Sequence, residues 1–345
     1  MALINDSLIN YPWLIKAYQQ LTLPLANGHG HGHGHGHHAL LIKYVIGCGE
    51  NKVLTKLAMR LLCLSPEKNE PCGQCHNCQL FLANNHPDYY VIEPEKNKLS
   101  IGIDQIRQIS TKIYERAQQG GNKVIWITNA SLMTEAAANA LLKTLEEPPE
   151  NTYFLLSDID NGQLLPTIRS RCQFYFLAVP DLESSISWLK SQVTSNKYND
   201  NQLATALLLN NNAPFAALKL LEAEQWQQRE QLNNKLQTCL AEHNLWDLRD
   251  SFINQENVLI PLNWFCMLLN DGLKARQKSG RFITNRDQVT LVRLIASFGT
   301  EKIIKLYALF REAREQLVTI TSLNQELIIS NLLAQSEIII NSSIN

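Results

Sequence analysis

The stretch Ala39-Leu-Leu-Ile-Lys-Tyr-Val-Ile46, then Gly47-Cys-Gly49, then Glu50-Asn-Lys-Val-Leu-Thr-Lys-Leu57, decides how the first half of this chain folds. The mostly apolar run reads as a buried strand, two glycines break it, and a helix is expected to follow through about Leu62. Strand, glycines and helix are the layout of a phosphate-binding loop, in which backbone N–H groups face an anion at a helix N-terminus. The working form is G-x-x-x-x-G-K-[ST], where Lys neutralises phosphate and the hydroxyl holds Mg²⁺. Aligned on Gly49, this chain has Tyr44 at the first glycine position, Glu50 in place of Lys and Asn51 in place of the hydroxyl. A carboxylate about 4 Å from one phosphate charge costs about 4 kcal/mol at an effective dielectric near 20. Lys52 is one step further on and faces elsewhere on the helix.

Working outward, a helix is expected over 7–25, with Trp13, Leu14, Ala17, Tyr18 and Leu21 on one face. Between it and the first strand lies the Gly-His tract 28–38, too rich in glycine to be helical. It reads as an expanded surface loop, with a metal-binding histidine tract as the competing reading. Further strands are expected at Asp88–Ile92, Lys123–Thr128, Tyr153–Leu156 and Gln173–Leu177. Helices are expected between them, over Ile103–Gln118 and over Thr134–Glu147, the latter capped by Thr134 and stopped by Pro148-Pro149. Alternating strands and helices predict a mainly parallel, covered sheet. The third strand ends Ile127-Thr128-Asn129-Ala130, without the carboxylate that would hold Mg²⁺ and polarise water. With the Lys also missing, the prediction is that this fold does not hydrolyse ATP in its own site. After Pro180 the strand patterns vanish, leaving a small helical unit at 181–222 and a larger one at 223–345. Apolar positions there, such as Leu327, Ile328, Leu332 and Leu333, are assigned to core.

Four of the eight cysteines cluster as Cys63-x8-Cys72-x2-Cys75-x2-Cys78, within an insert at 63–78. Two Cys-x2-Cys steps gather three sulfurs on a tight loop that Gly73 allows, and Cys63 adds a fourth from the end of the preceding helix. That number of soft ligands suits a closed, structural Zn²⁺ site. Unrelated thiols and an iron–sulfur site are the alternatives, and His86 is a weaker substitute ligand.

The 345 residues carry 31 basic and 32 acidic side chains and are 45% hydrophobic. The near-zero charge argues against a polybasic nucleic-acid coat, and no apolar run reaches membrane-spanning length. No signal-peptide pattern opens the chain, so a cytoplasmic protein is expected.

Ala138-Asn-Ala-Leu-Leu-Lys-Thr-Leu-Glu-Glu-Pro-Pro149, Ile168-Arg-Ser-Arg-Cys172 and the four-cysteine insert together resemble the clamp-loader ATPases of bacterial DNA polymerase III, of the AAA+ class. Tyr11-Pro-Trp13, Gly36-His-His-Ala-Leu-Leu-Ile42, His86-Pro-Asp-Tyr-Tyr90, the altered phosphate loop (Gly47, Gly49, Glu50, Asn51) and the Asn324-Gln-Glu-Leu-Ile-Ile-Ser run resemble the δ′ type rather than the motor type. The resemblance implies α/β plus all-α architecture: a RecA-like AAA+ module over 1–180, a helical lid over 181–222 and a helical collar over 223–345. It implies a non-hydrolysing stator in a hetero-pentamer with three motor subunits (γ/τ) and δ, part of the DNA polymerase III holoenzyme. The assembly would load the sliding clamp on primer-template DNA, with ATP bound by the neighbouring subunits. It implies that Arg171, with Ser170 and Cys172 shaping its turn, reaches the γ-phosphate on a neighbour. Without the resemblance, Arg171 reads as an ordinary surface or salt-bridging Arg, and Arg169 as a residue facing another way. Lys143 reads either as a phosphate or interface contact or as a solvated helix lysine. At the lid's nucleotide-sensing position stands Phe215 instead of Arg, and Ser157-Asp158 is expected to follow the fourth strand where motor subunits carry a Thr-rich sensor. The competing reading is an active clamp-loader motor.

Overall fold

The structure, a computed structural model, describes residues 8–26, 38–194, 197–222, 224–253, 257–319 and 324–342. The chain divides into two compact units, Met1–Pro180 and Asp181–Asn345.

The first unit is built on five strands, β1 (Ala39–Tyr44), β2 (Tyr89–Ile92), β3 (Lys123–Ile127), β4 (Thr152–Ile159) and β5 (Gln173–Leu177). They form one sheet in the order β2-β3-β4-β1-β5, every pair parallel. Its helices are α1 (Pro12–Ala26), α2 (Glu50–Leu62), α3 (His76–Leu82), α4 (Ile103–Tyr114), α5 (Glu135–Glu146) and α6 (Pro166–Arg169). Side chains alternate faces along a strand. Ala39 and Leu41 of β1 therefore join Ile125, Phe154 and Leu156 in one core under α4 and α5, sealed by Ile106, Ile109, Ile113, Ala138, Leu141 and Leu145. Thr134 caps α5 by accepting from Ala137 N at 3.2 Å. The sheet is parallel with a helix-covered core, as the alternation predicts.

Several boundaries differ from expectation, and the larger differences have local reasons. The first helix starts at Pro12, whose fixed φ suits a first turn, after a short 3₁₀ turn at Leu8–Asn10. Helix α4, expected to reach Gln118, stops at Tyr114, with Glu115 extended at φ −73°, ψ 163°. Helix α3 begins inside the cysteine insert, because the Cys75 sulfur accepts from Cys78 N and caps it. Strand β4 runs on to Ile159, so Ser157 and Asp158 lie within it and not after it. The Gly-His tract falls outside the described residues except for His38, whose Nε2 donates to the Leu145 carbonyl at 2.8 Å.

The second unit is helical: α7 (Leu182–Gln192), α8 (Asp200–Leu209), α9 (Pro214–Glu222), α10 (Glu224–Ala241), α11 (Arg249–Ile253), α12 (Leu259–Arg276), α13 (Val289–Ser297), α14 (Thr300–Thr319) and α15 (Gln325–Asn341). Leu332 and Leu333 are buried in it, whereas Leu327, assigned to core from its apolarity, is exposed. A buried polar network ties these helices together. Arg229 of α10 is fully buried, with its guanidinium over the Trp226 ring. It donates to Asp287 Oδ2 and Asn285 Oδ1, each at 2.7 Å. Asn285 donates in turn to buried Asp271 of α12 at 2.8 Å, and Asp287 N donates to Thr205 Oγ1 of α8 at 3.3 Å. Among the described residues, no helix is long and apolar enough to cross a membrane.

Removing one partner of a buried ion pair strands the other charge. Arg229→Met should therefore lower unfolding free energy in denaturant by about 3–5 kcal/mol. Pairing it with Asp287→Leu should recover part of that loss. A cost no larger than the ~1 kcal/mol of a surface pair would contradict this account of the network.

Candidate functional site

The loop after β1 turns through two glycines in left-handed backbone, Gly47 at φ 82° and Gly49 at φ 102°. Cys48 between them is fully buried, and its carbonyl accepts from Trp13 Nε1 at 2.9 Å. Gly49 is the N-cap of α2 and has no side chain to satisfy the exposed N–H groups. Glu50 does so instead, its Oε2 accepting from Gly49 N at 3.2 Å. The chain thus places its own anion where a phosphate-binding loop would hold a guest. Burial pushes the Glu50 carboxyl above the usual range, and the backbone N–H groups of Glu50 and Gly49 offset this only in part. Burial also pushes the Cys48 thiol and the Tyr44 phenol up, each to about 12. Asn51 is exposed, and Lys52 Nζ lies 4.7 Å from the Tyr11 ring centroid.

At the end of β3, Thr128 Oγ1 bonds the Ile92 carbonyl at 3.3 Å and Asn129 takes left-handed backbone at φ 49°. The neighbouring end of β4 holds an ion pair that sequence reasoning missed. Lys43 Nζ donates to Asp158 Oδ2 at 2.5 Å and to the carbonyls of Ile159 and Gly162 at 3.0 and 2.8 Å. Asp158 is fully buried and also accepts from Ser131 N and Oγ, at 3.1 and 2.7 Å. Its charge is therefore compensated inside the fold. A Cβ on Gly162 would fall 2.4 Å from Asp158 Oδ2, so the turn over this pair admits only glycine.

Arg171 stands at the other edge of the sheet. In the parallel register Leu40 pairs with Gln173 and Tyr44 with Leu177, so β5 starts beside the start of β1. Arg171 precedes β5, whereas the glycine loop follows β1. The five residues of β5 separate these edges by about 16 Å, at about 3.3 Å each. Ser170 caps α6, its Oγ donating to the Thr167 carbonyl at 3.0 Å. The Arg171 guanidinium is held by Glu146, the last residue of α5: Nε donates to Glu146 Oε1 at 2.7 Å and Nη2 donates to the same oxygen. Its Nη1 donates to the Thr167 carbonyl at 2.9 Å. Sequence reasoning did not single out Glu146. The signal available was two glutamates, Glu146 and Glu147, at a helix C-terminus, where the dipole disfavours carboxylates. Cys172 is largely buried, which pushes its thiol up to about 12. Arg169 does face away, over the Phe174 ring at 5.1 Å, and Lys143 is exposed. Phe215 on α9 packs edge-on against Trp188, at 5.1 Å between centroids.

The four cysteines of the insert converge. Cys63 closes α2, Cys75 caps α3, Cys78 lies in the first turn of α3 and Cys72 sits on the loop between. Their sulfurs lie within 4.8 Å of one another. The 63–72, 63–75 and 72–78 separations are 3.5, 3.9 and 4.0 Å. A tetrahedral ion about 2.3 Å from each sulfur needs about 3.8 Å between them, so the set fits a metal ion. Gly73, at φ 72°, makes the turn. The N–H groups of Cys75 and Gln74 draw the Cys72 thiol down to about 6, while burial pushes Cys78 up. His86 is not part of the cluster; its Nδ1 accepts from Asp88 N at 3.1 Å.

Residues 28–181 match the family described as DNA polymerase III, delta subunit. Residues 180–222 match the AAA+ ATPase lid domain of DNA polymerase III subunit delta′. Residues 223–337 match the C-terminal part of the DNA polymerase III delta subunit. DNA polymerase III subunit delta′ of Yersinia pestis is 40% identical over 95% of both chains. The protein of the same name from Escherichia coli K12 is 39% identical over the same share of each. Among solved structures, a DNA polymerase III gamma subunit-related protein of Thermotoga maritima aligns at 20% identity and a TM-score of 0.47, over 94% of this chain and 99% of that one.

The half-buried Glu50 carboxylate shifts stability with pH in one direction. Its pKa is raised in the folded state, so folding favours its protonated form. The stability this contributes is present below the unfolded value of about 4.3 and is lost as pH rises through the folded value. Glu50→Gln, neutral and equal in size, should gain stability over the parent progressively from about pH 4 upward. Denaturant unfolding at stepped pH checks this; curves that stay parallel would contradict it.

Proposed function

This chain belongs to the family of DNA polymerase III delta′ subunits, and from that membership we propose that it is the non-hydrolysing stator of a clamp loader. In this reading it assembles with motor subunits and δ in the cytoplasm. It lends Arg171 to the ATP of a neighbouring motor while the complex loads the sliding clamp on primer-template DNA. The boundaries proposed for its parts are an AAA+ module at 1–180, a lid at 181–222 and a collar at 223–345.

One observation carries the proposal: Arg171 and the chain's own glycine loop lie on opposite edges of one sheet. An arginine whose backbone is separated by a strand of about 16 Å from the end where its own loop lies is placed to serve a phosphate held by another molecule. The loop itself is degenerate in this reading. Glu50 takes the place of the cation and bonds the Gly49 N–H, no carboxylate ends β3, and Phe215 fills the lid position. Each change weighs against the motor reading. An arginine supplied in trans stabilises the charge that develops as the γ-phosphoryl group transfers, an effect worth about 10³ or more in rate.

The metal proposed for the insert is Zn²⁺, held by Cys63, Cys72, Cys75 and Cys78. Four thiolates leave no open position, so the ion would stabilise the insert and take no part in chemistry. It would also favour the thiolate form in Cys63 and Cys78, which burial otherwise opposes.

Two measurements test these assignments. Arg171→Ala should fold and assemble normally, yet cut ATP turnover at the site it serves by about 10³-fold, seen as loss of the DNA- and clamp-stimulated rate. Unchanged turnover in the reconstituted complex would dismiss the finger. Elemental analysis should find one zinc per chain, and almost none after Cys75→Ser; a variant that keeps its zinc would overturn the four-thiolate site.

A further inference from the structure

We propose that Glu146 is a positioning residue for Arg171, fixing the plane and aim of the guanidinium that the subunit presents to its neighbour's ATP. The inference rests on the trans-arginine reading and identifies the group that makes that arginine competent.

A guanidinium has five N–H donors in one plane. Glu146 Oε1 takes the proton of Nε and one proton of Nη2, and the Thr167 carbonyl takes one from Nη1. Contacts on both sides of the plane's edge stop the head from rotating. The second Nη2 proton lies on the far side from Glu146, toward the Nη1/Nη2 fork. Nη1 also donates to Ser170 Oγ at 3.4 Å, so the second Nη2 proton is the one left for a phosphate oxygen, and the Arg171 side chain as a whole remains 31% exposed.

Stability does not account for Glu146. Its side chain is 49% exposed, and a pair that open to water adds little to folding. It also ends α5, where the helix dipole works against a carboxylate. Lys143 stands three residues earlier on the same helix, yet the carboxylate turns to Arg171. Its support is rigid: Leu141, Thr144 and Leu145 of α5 are buried under the sheet, and Pro148-Pro149 follow at once. A carboxylate on a packed helix holds its partner more closely than a loop can. Half exposure also screens its charge, so it takes little from the attraction of Arg171 for phosphate. Orientation is the larger effect, because a finger acts only when it meets the charge developing in the transition state.

The test uses the complex reconstituted with motor and δ subunits, with Glu146→Ala, Glu146→Gln, Arg171→Ala and the Glu146→Ala/Arg171→Ala double variant. Gel filtration and thermal midpoints establish that each assembles and folds. Glu146→Ala should lower stimulated kcat by about tenfold, inside the ~10²-fold that a misplacement of an ångström produces. The KM for ATP should hold within about twofold, since uniform binding is untouched. Glu146→Gln, which keeps an acceptor, should recover part of the rate, and the double variant should match Arg171→Ala alone. Should Arg171→Ala lower turnover while Glu146→Ala leaves it unchanged or raises it, this inference fails and the finger stands. Losses that multiply in the double variant would equally overturn it, by showing that Glu146 acts elsewhere. Full turnover in Arg171→Ala would remove the finger, and this inference with it.

Discussion

A parallel sheet gives every strand the same direction, and that constraint organises the chemistry of the first unit. Loops that follow strands gather at one edge, and segments that lead into strands gather at the other. The glycine loop after β1 and the Lys43–Asp158 pair fall at the first edge. Arg171 before β5 and Glu146 at the end of the helix leading to β4 belong to the second. The length of β5 keeps them apart, and no side-chain rotamer closes such a gap. A glycine loop with the layout of an anion site and a partly exposed arginine thus lie at opposite ends of the same strands. This separation is what supports the proposal that Arg171 acts on a neighbouring subunit.

Two carboxylates at the first edge are held by groups of the fold itself. A helix N-terminus attracts anions, and here the chain's own Glu50 bonds to it. Burying that carboxylate has a cost, which its raised pKa reflects. The charge of buried Asp158 is compensated there by Lys43 and two Ser131 donors. At the second edge the opposite holds. Arg171 remains partly open to solvent, oriented by groups on α5 and α6.

Much of this was legible from residues that act locally. The altered phosphate loop, the Thr134 cap, the Pro148-Pro149 stop and the cysteine spacing depend on neighbours within a few positions, and their signals survive in one dimension. Ser157-Asp158 was misplaced outside its strand because an aspartate has poor strand propensity on its own. Its partner Lys43 lies 115 residues earlier, a pairing that only the sheet register reveals. The buried Arg229 network escaped notice for the same reason, its partners Asn285 and Asp287 standing 56 and 58 residues away. Leu327 was read as core on apolarity, but α15 turns it outward while Leu332 and Leu333 face in. Two glutamates at the C-terminal end of a helix, where the dipole disfavours carboxylates, are the one-dimensional sign of Glu146's role.

The proposed non-hydrolysing role turns on a loop whose Gly49 N–H is bonded by the chain's own Glu50 carboxylate. ATP turnover by the purified chain alone, with Mg²⁺ and without other subunits, tests it most directly. The account predicts release of phosphate no faster than in buffer. Sustained Mg²⁺-dependent hydrolysis that follows the concentration of this chain, and disappears when Gly49 is replaced, would contradict it.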